Sequence, residues 1–438
     1  MKHNIIVKFK PEITKKMQQE MYADIYEIFE HTLEIDGVNG IRLIPNVIDR
    51  DNRYHLVIEM DMEKEALPVY DNSMWHKLWK EQYGNMLELK TIIDLDDAIN
   101  TLTYTPDEGR YDGRMPYPYL GKSGLKIPEI SLGLWNNFGD VDNYNTMKSV
   151  LHTAFDLGIN HFDLANNYGP PYGSAEKNFG KIMKESFTGY RDELLISTKA
   201  GYDMWPGPYG DHGSRKYLLS SLDQSLKRMG LDYVDIFYHH RPDPDTPLEE
   251  TMGALATAVH SGKALYAGLS RYSGEEMRKA AKILKELNCP FVINQVRYSI
   301  FDRTFEDNGL FDAAYADGKG VIVFSPLEQG LLTDKYLMGV PKDSRIARHV
   351  GTLTEDRLTY DRLKQLNKLN DLAHSRGQSL AQLALSWVKQ NKAVTSILVG
   401  ASKPSQVVEN CKIIGAPKLT AEEMKLIEDI WKEYPVHT

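Results

Sequence analysis

Three stretches decide the fold: His161–Glu176 (HFDLANNYGPPYGSAE), Leu194–Trp205 (LLISTKAGYDMW) and Val234–Thr251 (VDIFYHHRPDPDTPLEET). Each opens on a short apolar run and then breaks into polar, Gly- or Pro-containing sequence. That pattern predicts a buried strand running out into a loop. Working outward, eight such runs follow Tyr119: Ile130–Leu134, His161–Leu164, Leu194–Thr198, Val234–Tyr238, Leu265–Leu269, Val292–Val296, Val321–Phe324 and Ile397–Val399. Apolar residues at helical spacing fill the gaps, as at Asn143–Leu157, Arg215–Met229, Leu248–Ser261 and Gly274–Leu287. Eight strand–helix alternations predict an α/β fold with a parallel sheet closed into a (β/α)8 TIM barrel. YLGKSGLKIPEI, from Tyr119, predicts a hairpin turning at Lys122-Ser123-Gly124. The long gap before the last strand predicts an inserted loop around Leu337–Leu353.

A different pattern precedes Tyr119. Asn4–Phe9, Arg42–Asn46, Tyr54–Met60 and Leu87–Leu95 read as strands, Ile13–Leu33 as a helix and Glu65–Glu81 as a broken helix. Gly37-Val38-Asn39-Gly40 reads as a turn. The order β-α-β-β-α-β predicts a small ferredoxin-like α+β domain over residues 1–102. Thr103–Pro118 carries Pro106, Gly109, Gly113, Pro116 and Pro118 and reads as the linker, with the barrel over 119–438.

Bulk properties exclude several functions. Residues 1–104 hold 12 Lys/Arg against 19 Asp/Glu, and the rest 40 against 42. With no basic surplus in either part, neither nucleic acid nor an anionic membrane is the expected partner. Cys289 and Cys411 have no metal or redox spacing. Ile5-Ile6-Val7 is followed at once by Lys8, Lys10 and Glu12, so it is not read as a signal peptide. No apolar run approaches the roughly 20 residues of a membrane span. The expected location is cytoplasmic.

The strand exits carry the chemistry. Asp163, Tyr168, Lys199 and His240 follow the second, third and fourth barrel strands. Singly, each has an ordinary explanation: a cap, one tyrosine of many, a surface lysine, a core histidine. Together they form an acid catalyst for carbonyl reduction. A phenol has a pKa of about 10, and a neighbouring ammonium favours its ionised form. A carboxylate holds that ammonium charged, and an imidazole orients the substrate oxygen. Zinc is not expected at His239-His240, because adjacent strand residues point to opposite faces.

These strings resemble the aldo-keto reductase superfamily over roughly Tyr119–Lys432. GYDMWPGPYG (Gly201–Gly210) resembles its L-glyceraldehyde 3-phosphate reductase branch, near the potassium-channel β-subunit group. The N-terminal segment resembles the stress-responsive dimeric α/β-barrel family, in its opening strand, DGVNGI (Asp36–Ile41), VYDNSMWHKLW (Val69–Trp79) and Asp94. The first resemblance implies Tyr168 as general acid, Lys199 as its pKa-lowering neighbour, Asp163 as partner of Lys199, and His240, directly before Arg-Pro-Asp-Pro, as the carbonyl-orienting group.

No GxGxxG follows a strand, so a Rossmann half-domain is not expected. The resemblance implies an extended nicotinamide dinucleotide across the barrel mouth. Its positions map to Trp135, Ser270, Arg271, Asn294, Gln295, Ser325, Pro326, Leu327, Gln329, Gly330 and Leu331. In LVGASKPSQVVEN (Leu398–Asn410), Gly400, Ser402 and Lys403 open a helix suited to a 2′-phosphate, and Gln406 and Asn410 suit the adenine. NADPH is therefore expected over NADH. Trp135, Tyr202 and Trp205 are the expected substrate walls, favouring small aldehydes; glyceraldehyde 3-phosphate or methylglyoxal as the substrate is what the resemblance implies. A nicotinamide redox-sensing module is the alternative. For the N-terminal domain the expectation is dimerisation, giving a homo-oligomer, with His3, Tyr70 and His76 as candidate pocket residues.

Overall fold

The computed structural model describes residues 1–48, 50, 52–95, 104–337, 339–340, 347 and 353–433. The chain divides into two compact units, Met1–Tyr104 and Thr105–Thr438. The first holds strands β1 (Lys2–Phe9), β2 (Val38–Pro45), β3 (Leu56–Met62) and β4 (Leu87–Leu95). Their antiparallel order, β2-β3-β1-β4, is that of a ferredoxin-like sheet. Alternation along β1 and β3 sends Ile5, Val7, Phe9, Leu56, Ile58, Met60 and Met62 to one face. Helix Lys15–Glu30, started by the Thr14 cap, lays Ile25, Ile28 and Phe29 on that face. Each such side chain contributes about 1.5–3 kcal/mol when fully buried.

Two details differ from the sequence reading or sharpen it. The expected turn at Gly37–Gly40 belongs largely to β2, which starts at Val38 and absorbs the extra residue as a register shift between Val38 and Gly40. The broken helix breaks at Ser73, whose extended backbone ends helix Leu67–Asn72 and whose hydroxyl accepts from His76 N to start Met74–Tyr83.

The second unit is a closed barrel of eight parallel strands. They are β5 (Ile130–Gly133), β6 (His161–Asp163), β7 (Leu195–Ala200), β8 (Val234–His239), β9 (Ala264–Ser270), β10 (Phe291–Arg297), β11 (Gly320–Phe324) and β12 (Val394–Val399). Neighbours pair in chain order, and β12 closes on β5 through Ile397↔Ile130. Strands β7 and β8 are buried along their whole length, as expected of strands with helices outside and packed side chains inside. Helix Gly274–Glu286 shows why the outer layer forms. Ser273 and Glu276 make a capping box, and Met277, Ala280 and Leu284 supply a buried stripe. The hairpin bridged at Tyr119↔Lys126 closes the floor, packing Leu120 and Ile127 against Leu195, Ile236, Tyr238, Ile293, Ile322 and Leu398. The loop expected around Leu337–Leu353 falls mostly outside the described residues. No helix among the described residues is long and apolar enough to cross a membrane.

Candidate active site

Asp163 is the last residue of β6, Lys199 lies one residue from the end of β7, and His240 directly follows β8. Tyr168 sits in the loop between β6 and helix Ser174–Ser186. The four therefore meet at one end of three adjacent strands. Register places Asp163 beside Ser197 and Lys199 beside Tyr238. Because strand side chains alternate, Ser197 and Lys199 turn into the barrel while Thr198 turns out, donating to Glu176 at 2.6 Å.

Lys199 and Asp163 are fully buried and joined at 2.5 Å. The ammonium also donates to the Leu164 carbonyl at 2.7 Å. It lies 5.1 Å from the centre of the Tyr168 ring. That ring meets His240 edge-on at 6.0 Å and Trp135 at 6.2 Å. Tyr202 stands edge-on to His240 at 4.7 Å, with the Arg241 guanidinium 4.3 Å over its ring.

Electrostatics follow from this burial. The imidazole of His240 is pushed well below its ordinary pKa by burial, with Lys199 and Arg271 adding to the effect, so it is neutral near pH 7. Burial also lowers Lys199, against the raising pull of Asp163. Tyr168 departs from the sequence expectation. Burial pushes its phenol well above the ordinary value, Asp163 adds to the rise, and Arg271 opposes it. Lys199 does not outweigh burial and Asp163 at the phenol. Its charge is matched by Asp163 at 2.5 Å, so the phenol faces a compact ion pair rather than a bare cation. The phenol therefore holds its proton.

Sequence reasoning missed what supports Asp163. Its Oδ1 accepts from Ser197 Oγ at 2.6 Å and from Gln295 Nε2 at 3.2 Å. Behind Ser197 runs a buried polar chain: His161 Nε2 at 3.0 Å, then Ser131 Oγ at 2.8 Å from His161 Nδ1, then Ser396 Oγ at 2.7 Å. The available signal was the two-residue spacing of His161 from Asp163 and of Ser197 from Lys199, which puts each pair on one strand face.

The expected cofactor residues fall into two groups. Among the described residues, Ser270 Oγ and Asn294 Oδ1, and with them His240 Nδ1, are buried without a hydrogen-bond partner, and Asn294 donates to Tyr272 O at 2.9 Å. Buried polar atoms without partners are costly, and a carboxamide supplies both donor and acceptor to such atoms. Arg271, Ser325 and Gln329 hold left-handed backbone (φ 65°, 53° and 57°), a strain that clusters at functional sites. Gly330, at φ 101°, needs no side chain there. Trp135 is partly exposed beyond β5, and Ser325, Leu327 and Gln329 are half-buried after β11. These features fit a nicotinamide dinucleotide.

Other residues are otherwise engaged. Gln295 turns inward to Asp163, and Pro326 and Leu331 are buried in packing. Beyond Gly400, helix Pro404–Cys411 does open after Lys403. Ser402 and Lys403 are exposed there, but Gln406 accepts from Ser402 N at 2.7 Å and Asn410 is buried. Trp205 packs at a tilt against Tyr217, with ring centres 5.2 Å apart. His239 bonds Tyr272 at 2.7 Å, away from the site of His240.

A (β/α)8 barrel with a buried Lys–Asp pair, a phenol and a neutral imidazole at one strand end defines an oxidoreductase of the carbonyl class. The chain belongs to the aldo/keto reductase family, whose family model matches residues 129–432. It is 56% identical over 319 residues to the L-glyceraldehyde 3-phosphate reductase of Escherichia coli strain K12, covering 72% of this chain and 92% of that protein. It is 36% identical over 331 residues to a probable voltage-gated potassium channel subunit beta of Oryza sativa subsp. japonica, covering 74% of this chain and 99% of that protein. In Schizosaccharomyces pombe, a putative subunit beta of such a channel is 37% identical over 332 residues, covering 74% and 95%.

Proposed function

We propose that the protein is an NADPH-dependent reductase of small aldehydes, of the glyceraldehyde 3-phosphate or methylglyoxal kind. The observation that carries this reading is the Lys199–Asp163 pair at 2.5 Å beneath the Tyr168 and His240 rings. When bound, the nicotinamide supplies hydride to the carbonyl carbon. Tyr168 gives its proton to the carbonyl oxygen, and Lys199 stabilises the phenolate left behind. Asp163 keeps Lys199 protonated despite burial. Neutral His240 fixes the carbonyl oxygen by hydrogen bonding, and Trp135 and Tyr202 wall the substrate. Ser270, Asn294 and Arg271 hold the nicotinamide side, and Ser402 with Lys403 the 2′-phosphate. The high resting pKa of the phenol supports an acid that is fully protonated when substrate arrives.

Tyr168→Phe tests this directly. Turnover with aldehyde should fall by about 10²–10⁴-fold while NADPH binding survives. Near-normal aldehyde reduction by that variant refutes the assignment. A panel of small aldehydes run with NADPH and NADH side by side fixes substrate and cofactor preference.

The similarity to potassium channel β subunits favours a second reading, a module that reports nicotinamide redox state. Tight NADPH binding without turnover of any aldehyde would select it. We also infer that the protein is a homo-oligomer joined through residues 1–104. Edge strand β4 exposes Leu89, Ile92, Ile93 and Leu95, and an open apolar edge invites a partner. Removal of residues 1–104 should lower the assembly's subunit number, and an unchanged number counts against this role.

A further inference from the structure

A cavity of about 630 Å³ lies at the barrel floor, at the opposite end of the strands from Tyr168. It is bounded by the hairpin at Tyr119–Lys122, the turn at Gly318-Lys319, the end of helix Leu380–Gln390 and the start of β12. Its volume is in the range of small-molecule sites, about 300–1,000 Å³.

The lining charge is one-sided. Among the described residues, Lys122, Lys319, Lys389 and Lys392 border the cavity, with Glu129 as its one carboxylate. Glu129 is matched by Lys389 at 2.5 Å. Three lysines remain without a lining counter-charge among the described residues. The nearby Asp317 is held by Arg278 at 2.9 Å. Helices Leu310–Asp317 and Leu380–Gln390 end at this floor, and each C-terminus brings roughly half a negative charge. Three full positive charges against about one negative leave a clear surplus.

Lys319 sharpens the point. It is half-buried, its ammonium donates to the Phe291 carbonyl at 2.8 Å, and burial lowers its pKa against the raising pull of Asp317. A partly desolvated cation with a neutral partner gains from an added anion. Lys392 rests over the Tyr315 ring at 4.6 Å, and Thr395 adds a hydroxyl to the wall.

The floor is also preformed. Lys122 N donates to Gly318 O at 2.9 Å, and a Cβ on Gly121 would lie 2.0 Å from that carbonyl oxygen. Hairpin and turn are thus locked together, so the backbone that carries Lys122 and Lys319 is preformed.

We propose that this floor cavity is a binding site for a small polyanion of the phosphate-bearing class, separate from the catalytic mouth. The test uses the full chain saturated with NADPH, so that the cofactor site is filled, and inorganic pyrophosphate as probe in calorimetric titration. One saturable site is expected, weakening as salt is raised. Lys319→Met and Lys392→Gln should each weaken it by about 2–5-fold or more, with aldehyde turnover retained as evidence of folding. Absence of saturable binding up to about 10 mM, where a Kd of about 1 mM would be visible, overturns the proposal. So does equal binding by wild type and both variants. Loss of binding on Lys403→Ala instead would assign the anion to the cofactor site and also overturn it.

Discussion

Replacing Asp163 by Asn tests the electrostatic core of the site. The variant keeps the shape and removes the charge that balances Lys199. Both groups are fully buried and 2.5 Å apart, and the only other described acceptor for the ammonium is the Leu164 carbonyl. Removing one partner of such a pair costs about 3–5 kcal/mol, because a buried charge is left unmatched. Unfolding entropy of about 2.1 cal/mol/K per residue over the 334 residues of the second unit makes 1 kcal/mol worth roughly 1.4 °C. The midpoint should therefore fall by about 4–7 °C. The sign of its pH dependence is also fixed. Without Asp163, the raising influence on Lys199 is gone and burial depresses its folded-state pKa further below the unfolded value. Between those two values the unfolded chain binds more protons, so the variant's stability rises with pH. Its deficit should be larger at pH 6 than at pH 9. Adding Lys199→Met should recover much of the loss. Thermal unfolding of the wild type, both single variants and the double variant across pH measures this. A deficit below about 1 kcal/mol, the size of an exposed pair, would refute the reasoning.

Further outcomes follow from other parts of the molecule. Lys403→Ala should raise KM for NADPH by about 1.5–5-fold and leave KM for NADH unchanged, as for an exposed ion contact; steady-state kinetics with both cofactors decides it. The imidazoles of His161 and His239 are lowered to about 4 by burial. Their folded pKa values lie below the unfolded value of about 6.5, so the stability they contribute is present above that pH and is lost as pH falls through about 4. Urea unfolding from pH 7 to pH 4 should show this decline, and His239→Phe should make it shallower.

Much was legible because local patterns carried it. The eight apolar runs marked the strands, and the residues just after them marked the mouth. Asp163, Lys199 and His240 were readable for that reason, and Tyr168 from the family resemblance of the loop that follows Asp163. The β2 start was misread because Gly40 and Asn39 carry turn chemistry, while pairing with β3 holds them in a bulged strand. Gln295, expected at the cofactor, also donates to Asp163, 132 positions earlier. No spacing rule spans that separation. The phenol's high pKa was missed because charge pairing and burial are both properties of the assembled site.

The order of residues alone determined the alternation of strand and helix, the face on which each strand side chain falls, and the set of polar groups delivered to one rim. Barrel closure decided the rest. By setting β12 against β5 it brought Ser396 to Ser131, 265 positions apart, and so completed the chain through His161 to Asp163. The same closure gathered four lysines around one cavity at the floor. Periodicity is local and can be read along a chain. Burial, ion pairing and long-range hydrogen bonds depend on which distant segments become neighbours, and that is fixed only when the sheet closes.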